Sequence, residues 1–391
     1  MNNPITRWFK ETARVWSREL RLIFSDAGML LFFFALPLVY PLVYTLIYNP
    51  EVVTDIPVTV VDNSRTSASR ELTRSIDATS AIKIVGYATS LSEARRWQAE
   101  KRCYGILVIP EDYARDIGRS EQTHVDFYSD MSLLLRFRTF LSALTDVQLA
   151  TGAKIRAQKM EAAGLPASEA PISSEAFFLG DAEQGFASFI IPGIVVLIIQ
   201  QSMILGIAML IGTSRERRRR NGGIDPMAIQ ASPSATMAGK LLAYMVPYLP
   251  MSVYALHYVP LMFSLPHSGS MTQYLPFFLP MLIASAGFGL VISEIFVKER
   301  EMSLMVVVFT SVGFLFLSGL TWPRYAMHPV WQWIGNCIPA VWGVEGFIRI
   351  NSNSATLAQN SHPYLMLWLL SAIYWTIYWM MLRHHRAKKL F

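Results

Sequence analysis

Long uncharged windows dominate the pattern of the chain. Twenty-four residues without a charge separate Asp26 from Glu51, and 31 separate Glu183 from Arg215. No Asp, Glu, Lys or Arg occurs between Lys240 and Glu294, a stretch of 53 residues that must turn, and the polar cluster 266–270 divides it. Because a bilayer core about 30 Å thick needs about 20 apolar residues, these windows predict membrane helices. We expect six spans, near 27–50, 184–214, 241–263, 274–293, 302–320 and 364–382.

Basic residues beside these windows predict the orientation of the spans. Five Lys and Arg lie in the first 26 residues, six follow the second span up to Lys240, and the loop at 264–273 has none. Lys and Arg in short loops beside membrane spans mark the cytoplasmic side, whereas a long domain crosses the membrane regardless of its charge. Both termini are therefore predicted to be cytoplasmic. The predicted organisation is an interface helix at 1–26, a transmembrane helix at 27–50, an extracytoplasmic domain at 51–183, five transmembrane helices within 184–382, and a basic tail at 383–391.

Residues 5–24 show a different, helical pattern. One face carries apolar residues at three- and four-residue steps, and the other carries arginines: Ile5, Trp8, Phe9, Ala13, Trp16, Leu20, Ile23 and Phe24 against Arg7, Arg14, Arg18 and Arg21. This pattern predicts a helix lying at the headgroup boundary of the bilayer. The alternative is a soluble amphipathic helix that packs on a partner protein.

The segment 51–183 alternates between strand and helix patterns. Apolar runs predict strands at 57–62, 82–87, 104–109 and 124–128. A helix is predicted through Glu71 and Leu72, another after a capping box of Ser90 and Glu93, and a long one over 132–162. The alternation favours a small α/β domain. The predicted fold class is thus an α-helical polytopic membrane protein with six transmembrane helices and an inserted extracytoplasmic α/β domain.

Composition supports this division of the chain. Only 16% of residues are charged and 52% are apolar, against about 25% and 45–50% in ordinary soluble domains. Residues 51–183 hold 15 of the 34 Lys and Arg and 19 of the 28 Asp and Glu. The excess of positive charge therefore lies beside the apolar windows, which is typical of membrane orientation and argues against nucleic acid as a partner. The two cysteines, Cys103 and Cys337, allow at most one disulfide.

Motifs for catalysis or nucleotide binding are missing from the sequence. No phosphate-binding G-x-x-x-x-G-K-[ST] occurs, and neither do H-E-x-x-H or G-x-S-x-G. The seven histidines lack metal-ligand spacing, so we expect no bound metal and no enzyme activity. The spans also lack buried acidic groups, which a carrier driven by an ion gradient would need. The energy for any transport must therefore come from elsewhere. Glu345 and Arg349, four residues apart, predict either a charge pair near the outer surface or an outer gate for substrate.

Four stretches in order resemble a known family. They are the amphipathic N-terminal helix, VDNSRTSASREL at 61–72, SFIIPGIVVLII at 188–199 followed by Arg215-Glu216, and the segment 318–350. In the last, Pro323, Met327, Pro329, Trp331, Pro339 and Arg349 match a P-x-x-x-M-P…P…R pattern. Together they resemble the permease subunits of ABC-type exporters of the type 2 export family, in the branch with a large outward domain after the first span. The resemblance covers essentially the whole chain.

The resemblance implies that a separate cytoplasmic ABC ATPase, which binds ATP and Mg, docks on the loop 213–240. The coupling residues carried over are Arg215, Glu216, Asn221, Gly222, Gly223 and Asp225. Relatives tend to show a mixed R-E-x-E-x-G-T-x-E run here, whereas Glu216 in this chain is followed by four arginines. The alternative for Arg217 to Arg220 is that they only fix the topology and contact anionic lipid.

The resemblance further implies a pair of permeases, either two copies or two paralogues, with the second and fifth spans lining a central path. Small or polar residues suit such a path: Pro192, Gly193, Gln200, Ser311, Gly313, Ser318 and Gly319. Generic helix packing with a kink at Pro192 is the alternative. We expect an outer re-entrant segment at 321–360, an amphipathic, lipid-like or drug-like cargo, a bacterial inner-membrane location and, by analogy, a periplasmic adaptor. The competing hypothesis is a membrane-anchored module that binds a partner without transport.

Overall fold

The computed structural model describes residues 4–48, 53–119, 121–164 and 185–387. The chain divides into two compact units. One comprises Met1–Glu51 with Phe178–Phe391 and is called the helical unit; the other, Val52–Phe177, is called the α/β domain. The predicted boundaries near 50 and 183, and part of the tail at 383–391, lie outside the described residues.

The helical unit begins with two helical segments separated by a short break. Helix α1 is Pro4–Phe24. Helix α2 (Ala27–Leu30), a π-helical turn (Leu31–Ala35) and helix α3 (Leu36–Tyr48) then form one continuous helical segment over the first predicted span. Asp26 separates α1 from this segment, because its side chain accepts hydrogen bonds from the backbone N–H groups of Gly28 and Met29 and so caps α2.

The α/β domain contains a four-stranded sheet with helices on both faces. Its elements in chain order are β1 (Ile56–Asp62), α4 (Ser67–Asp77), β2 (Ile82–Tyr87), α5 (Leu91–Ala99), β3 (Gly105–Ile109), α6 (Tyr113–Arg119), β4 (Asp126–Ser129) and α7 (Leu134–Ala162). The strand order is β2-β1-β3-β4. β1 runs parallel to both β2 and β3, whereas β4 is antiparallel to β3. Side chains alternate along the central strand: Val58 and Val60 join the core with α4 and α7, and Val61 joins the core with α5.

Local structure differs from the sequence prediction at two points in this domain. β4 lies at 126–129 rather than 124–128, because it pairs with β3, whose Gly105 is opposite Ser129. Ser90 caps α5 by accepting from the N–H of Glu93, but the Glu93 carboxylate accepts from Thr89 rather than from Ser90. The box predicted at α5 is therefore half formed.

The 61–72 motif forms a turn and a helix start. Asp62 accepts from the backbone N–H groups of Ser64 and Arg65 and from the Ser69 hydroxyl. Thr66 and Ser69 form a reciprocal capping box for α4. The residues that carry this part of the resemblance thus shape the β1–α4 connection.

The remaining helices complete the helical unit. They are α8 (Phe186–Arg220), α9 (Pro233–Val253), a π-helical turn (Tyr254–Tyr258), α10 (Val259–Met262), α11 (Met271–Phe296), α12 (Met302–Leu317), a 3₁₀ turn (Arg324–Ala326), α13 (Pro329–Asn336), α14 (Pro339–Asn353) and α15 (Ser361–Ala387). Helix α8 lies in the core: its Gly206 admits the ring of Phe33, since an added Cβ would lie 1.7 Å from that ring.

Four helices within the described ranges are long and apolar enough to cross a membrane: Ala27–Tyr48, Ala187–Arg220, Met271–Phe296 and Ser361–His385. Met302–Leu317, at the fifth predicted span, is a shorter apolar helix. The third predicted span is helical in three successive pieces, with Pro247 and Pro250 inside α9. The protein is thus mostly helical with several apolar helices, as expected of a multi-pass membrane protein, and the count of six spans stays a prediction.

Candidate coupling site at the basic end of helix α8

Helix α1 packs on α9 through a face that the sequence pattern did not single out. Its buried residues include Glu11, Thr12 and Val15, whereas the apolar Ile5 and Phe9 are 63% and 61% exposed. Gly239 of α9 permits this contact, because an added Cβ would lie 2.6 Å from Val15 Cβ. The helix thus has three faces: one packed, one apolar and exposed, and one basic.

Glu11 ties α1 to the start of α9. Its Oε2 accepts from the backbone N–H of Ser232 at 2.7 Å, and its Oε1 accepts from Arg7 Nε at 3.0 Å. The Ser232 hydrogen bond and, after it, the Arg7 guanidinium hold the pKa of Glu11 below its ordinary value. The Trp8 indole N–H also donates to the Ser234 hydroxyl at 3.1 Å. These contacts fix the first turns of α1 on the loop before α9.

Glu19 lies deeper in the same contact and is 2% exposed. Arg18 and Lys240 are within 3.2 Å and 3.5 Å of its Oε1, and the Tyr244 hydroxyl donates to its Oε2 at 3.4 Å. A buried carboxylate needs such partners, because leaving a charge unpaired away from water is costly. Glu19 and Lys240 therefore join α1 to α9 by a buried ion pair.

Asp225 fixes the loop that follows α8. It accepts from the Ser214 hydroxyl at 2.6 Å, from Arg217 Nε at 3.2 Å and from the Met227 N–H at 3.1 Å. Arg18 lies 3.3 Å from its Oδ2, so this one arginine joins Glu19 and Asp225. Burial raises the pKa of Asp225, but the Ser214, Arg217 and Met227 hydrogen bonds outweigh it and leave the pKa below its ordinary value. The carboxylate is thus charged at neutral pH.

Glu216 and Arg215 connect the same end of α8 to other helix ends. Glu216 accepts from the Arg300 backbone N–H at 2.7 Å. Arg215 donates to the Glu294 carboxylate and to backbone carbonyls at the end of α11. Two of the predicted coupling residues are therefore held by intramolecular contacts.

Arg300 also forms a fork-shaped pair with Asp26 at 2.5 and 2.6 Å. This pair lowers the pKa of Asp26, and the same Asp26 hydrogen bond raises the pKa of Arg300. Because Glu216 binds the Arg300 backbone, the end of α8 is connected through one residue to the start of the first predicted span.

The exposed tip of the loop contains the other predicted coupling residues. Asn221, Gly222 and Gly223 are exposed, and the two glycines have φ of +61° and +94°, which a residue without Cβ adopts without strain. Next to them lie Ile224, 73% exposed, and Met227, 37% exposed. Sequence reasoning missed these two apolar side chains, although an isoleucine between glycine and aspartate in a polar loop was a usable signal. Exposed apolar side chains on a fixed loop suit contact with another protein.

The predicted path residues fall into two environments. Gln200 is fully buried and accepts from the Ser285 hydroxyl at 3.1 Å, while the next residue, Gln201, accepts from Thr310 at 3.2 Å. Gly193, one residue after Pro192, is also enclosed, because an added Cβ would lie 2.3 Å from Leu320 Cδ2.

The fifth-span candidates differ among themselves. Ser311 is half-buried and donates to the Val308 carbonyl. An added Cβ at Gly313 would meet nothing within 4 Å. Ser318 is buried, and Gly319 has a φ of +90° at the turn that ends α12. Within the described part of the chain, α8 thus supplies enclosed candidates, whereas those in and after α12 range from the open Gly313 to the buried Ser318.

The predicted outer pair forms, and it has a third member. Glu345 Oε1 lies 2.6 Å from Arg349, and its Oε2 lies 2.9 Å from Arg324 of the preceding turn. Arg324 also donates to Asn336 and lies over the Trp342 ring at 4.7 Å. The charge cluster therefore joins the 3₁₀ turn, α13 and α14.

Both cysteines are free, with Cys103 buried and Cys337 exposed. Among the described residues, no group of three or more His, Cys, Asp or Glu is arranged to hold a metal ion.

Residues 27–380 match the family described as ABC-2 family transporter protein. Comparison with curated proteins gives no match. The matched range includes the end of α8, the loop after it and the outer cluster, and it extends from the first predicted span to the last. A permease of this family has no ATPase domain of its own and works with an ATPase subunit. The chain belongs to the ABC-2 family of transporter proteins.

Proposed function

We propose that this ABC-2 permease is the membrane subunit of an ATP-driven exporter that moves an amphipathic, lipid-like or drug-like cargo out of the cytoplasm or the inner leaflet. The observation that carries the proposal is the segment 221–228. The buried Asp225 holds this segment on α8 through Ser214, while the side chains of Ile224 and Met227 stay exposed. A permease powered by a separate ATPase must receive work through surface contact, and this segment offers such a contact.

Motion at this segment reaches the interior through α8. Asp225 is bonded to Arg217 of α8 and to Arg18 of α1, and Glu216 is bonded to the residue that pairs with Asp26. Helix α8 has 35 residues, which corresponds to about 50 Å at 1.5 Å per residue. A shift of the docked segment therefore acts on the whole length of a core helix.

The interior of the helical unit favours an apolar or amphipathic cargo. Most buried side chains around α8, α11 and α14 are aliphatic or aromatic. Gln200 and Gln201 place two amides among them, and their Nε2 atoms have no partner among the described residues. Such surroundings suit a cargo with a large apolar part and a small polar group better than a hydrated ion.

Helix α12 supports a second permease as partner. Its exposed face includes Phe309 at 77%, Val308 at 64% and Val312 at 57%, and Gly313 opens that helix to close approach. In a background with Cys337→Ser, Phe309→Cys is expected to form a cross-linked dimer in native membranes. Leu46→Cys, 62% exposed on α3, is the matched position. Equal cross-linking at both positions would argue against a dimer through α12.

Docking is tested by co-purification of a co-expressed ABC ATPase with the tagged chain. Ile224→Asp is expected to abolish capture, since it places a charge in an apolar contact. Leu149→Asp, a substitution at a residue that is 68% exposed in the α/β domain, is expected to leave capture unchanged. Capture that survives Ile224→Asp at wild-type level would contradict the assigned docking segment.

Transport is tested in vesicles that contain the permease and its ATPase, with efflux of a lipophilic dye as the readout. ATP-dependent efflux is expected, and an ATPase unable to hydrolyse ATP is the control. A chain that captures an extracytoplasmic partner but moves no dye would favour the alternative, a membrane-anchored binding module. Protease access to the α/β domain in spheroplasts, whose outer membrane has been removed, tests the proposed orientation with both termini cytoplasmic, and pull-down with the full chain tests the adaptor.

A further inference from the structure

A cavity of about 340 Å³ lies beside the basic end of α8. Arg215, Arg218, Arg219, Gly223 and Lys298 line it, so its walls carry four cations and no carboxylate. Its volume falls in the range of about 300–1,000 Å³ that small-ligand sites occupy. The composition of the walls suits an anion.

Two of the four cations lack a compensating charge. Arg215 pairs with Glu294, and Arg219 pairs with Glu299 at 2.5 Å. Arg218 donates through Nε to the Gly223 carbonyl at 2.7 Å, but neither its guanidinium nor the Lys298 ammonium lies within 4.0 Å of a carboxylate in the described chain. Both side chains are exposed. The cavity therefore retains about two positive charges for a ligand.

A neighbouring cavity of about 400 Å³ provides a contrast. It shares Arg215 and Arg218 with the first, but Glu19, Asp225 and Glu294 also line it. An anion there would be repelled by these three carboxylates. The cavity beside Lys298 is therefore the better anion site.

Apolar residues at the end of α11 precede Lys298, one of the residues that line this cavity. Ile295 and Phe296, the last two residues of that membrane-crossing helix, are 53% and 57% exposed, and Lys298 follows two residues later. Exposed apolar residues at the end of such a helix face hydrocarbon, so the next polar residues lie at headgroup depth. A soluble anion would not contact this apolar surface, whereas a phospholipid would contact the cations with its phosphate and the apolar surface with its acyl chains.

We propose that this cavity binds the phosphate of an anionic phospholipid. Arg218 and Lys298 contact the phosphate oxygens, and the acyl chains lie along Ile295 and Phe296. Arginine and lysine suit a phosphate group because their N–H groups form charge-assisted hydrogen bonds with its oxygens. The site requires only that the chain be inserted in a membrane, and it goes beyond the proposed export activity.

The test uses the full purified chain in nanodiscs of phosphatidylcholine with increasing phosphatidylglycerol. Lipid retained after exchange into detergent is counted by native mass spectrometry, and the melting temperature is recorded in parallel. Wild type is expected to retain phosphatidylglycerol selectively. The variant Arg218→Gln/Lys298→Gln is expected to bind it about thirtyfold more weakly, or roughly fivefold per cation. Arg70→Gln/Arg74→Gln, which removes two exposed charges from the α/β domain, should behave as wild type.

Four further measurements can overturn or support the assignment. Inorganic phosphate, added without phosphatidylglycerol, is expected to leave the melting temperature unchanged; stabilisation equal to that by lipid would mean that the site takes a soluble anion. Phe296→Ser is expected to weaken lipid retention. If the double variant loses its ATPase while lipid retention stays at wild-type level, the cations dock protein and the proposal is wrong. Should the double variant fail to fold, the exposed single substitution Lys298→Gln is expected to weaken retention about fivefold, and unchanged retention overturns the proposal.

Discussion

The two units of this protein place their charges in opposite ways. In the α/β domain the ion pair between helices α4 and α7 is exposed: Glu71 and Lys154 are 58% and 59% accessible. In the helical unit the two carboxylates that share Arg18 are enclosed, with Glu19 and Asp225 at 2% and 7% side-chain exposure. One unit uses charge mainly to remain soluble, and the other uses it to join helices.

The difference follows from the solvent that each unit meets. Water makes burial of Val58, Val60 and Phe140 favourable, and this apolar core packs helices α4 and α7 on the sheet of the α/β domain. Lipid tails are as apolar as leucine, so helix surfaces in a bilayer gain little from apolar contact alone, and polar contacts specify which ends meet. The arginines around residue 215 therefore join helix ends.

The largest expected effect is loss of the Glu19 pair. Glu19→Gln leaves Arg18 and Lys240 without their shared carboxylate, and breaking a buried pair from one side costs about 3 kcal/mol or more. The free energy of unfolding in mixed micelles measures it. Glu71→Gln, which breaks the exposed pair with Lys154, is the matched control and should change little. Similar losses for both variants would remove the contrast between the units.

The next largest effect is expected from removing the charge of Asp225, which should weaken the attachment of the loop after α8 by a free energy of about 2 kcal/mol. Asp225→Asn should increase trypsin cleavage after Arg219 and Arg220, because the loop loses its charged acceptor. The folded pKa of Asp225 is lowered, so its contribution is complete above the unfolded pKa near 3.9 and falls only as pH drops through the lower folded value. The cleavage rate of wild type divided by that of Asp225→Asn at the same pH should therefore be constant between pH 6 and 8, because the division removes the pH dependence of trypsin itself. A rise in this ratio on going from pH 8 to pH 6 would contradict this assignment.

The sequence predicted elements well and contacts poorly. Charge-free windows located the apolar helices because hydropathy is a local property, and β2 was predicted at the residues where it occurs. Boundaries failed where a partner decides them: β4 is defined by pairing with β3, and no local signal in 124–129 carries that register.

The candidate coupling site could be predicted only in part. The arginines and Asp225 stand out as charges in an oily chain, and the Glu345–Arg349 pair follows from helical spacing. Glu19, Lys240 and Arg324 were missed because their partners lie far away in sequence, and only folding brings them together. Charges at helix ends predict the orientation of the spans from the sequence, whereas only the structure shows the contacts between those ends.

Close packing in the helical unit is tested next, at Gly193. An added Cβ would lie 2.3 Å from Leu320, so Gly193→Ala is expected to cost about 1–2 kcal/mol of unfolding free energy in micelles. Leu320→Ala should recover part of that loss in the double variant, because it makes room for the new methyl group. Gly313→Ala is the matched control, since nothing lies within 4 Å of its added Cβ. A loss at Gly313 equal to that at Gly193 would show that helix α12 is as enclosed as α8.

The smallest expected effect concerns the outer cluster, where exposure lies between the extremes of the two units. Arg349→Gln removes a side chain that is 46% exposed from its pair with Glu345, four residues away on the helix, and such a pair is worth about 0.5 kcal/mol or less. Arg324→Gln should cost more, because Arg324 also bonds Asn336 and lies on Trp342. If the cluster has only a structural role, Arg324→Gln should reduce ATP-dependent dye efflux more than Arg349→Gln does, in the same order as their losses of stability. If Arg349→Gln changed efflux severalfold while stability stayed constant, the Glu345–Arg349 pair would act as a gate. Charged pairs in the helical unit would then control transport as well as join helices.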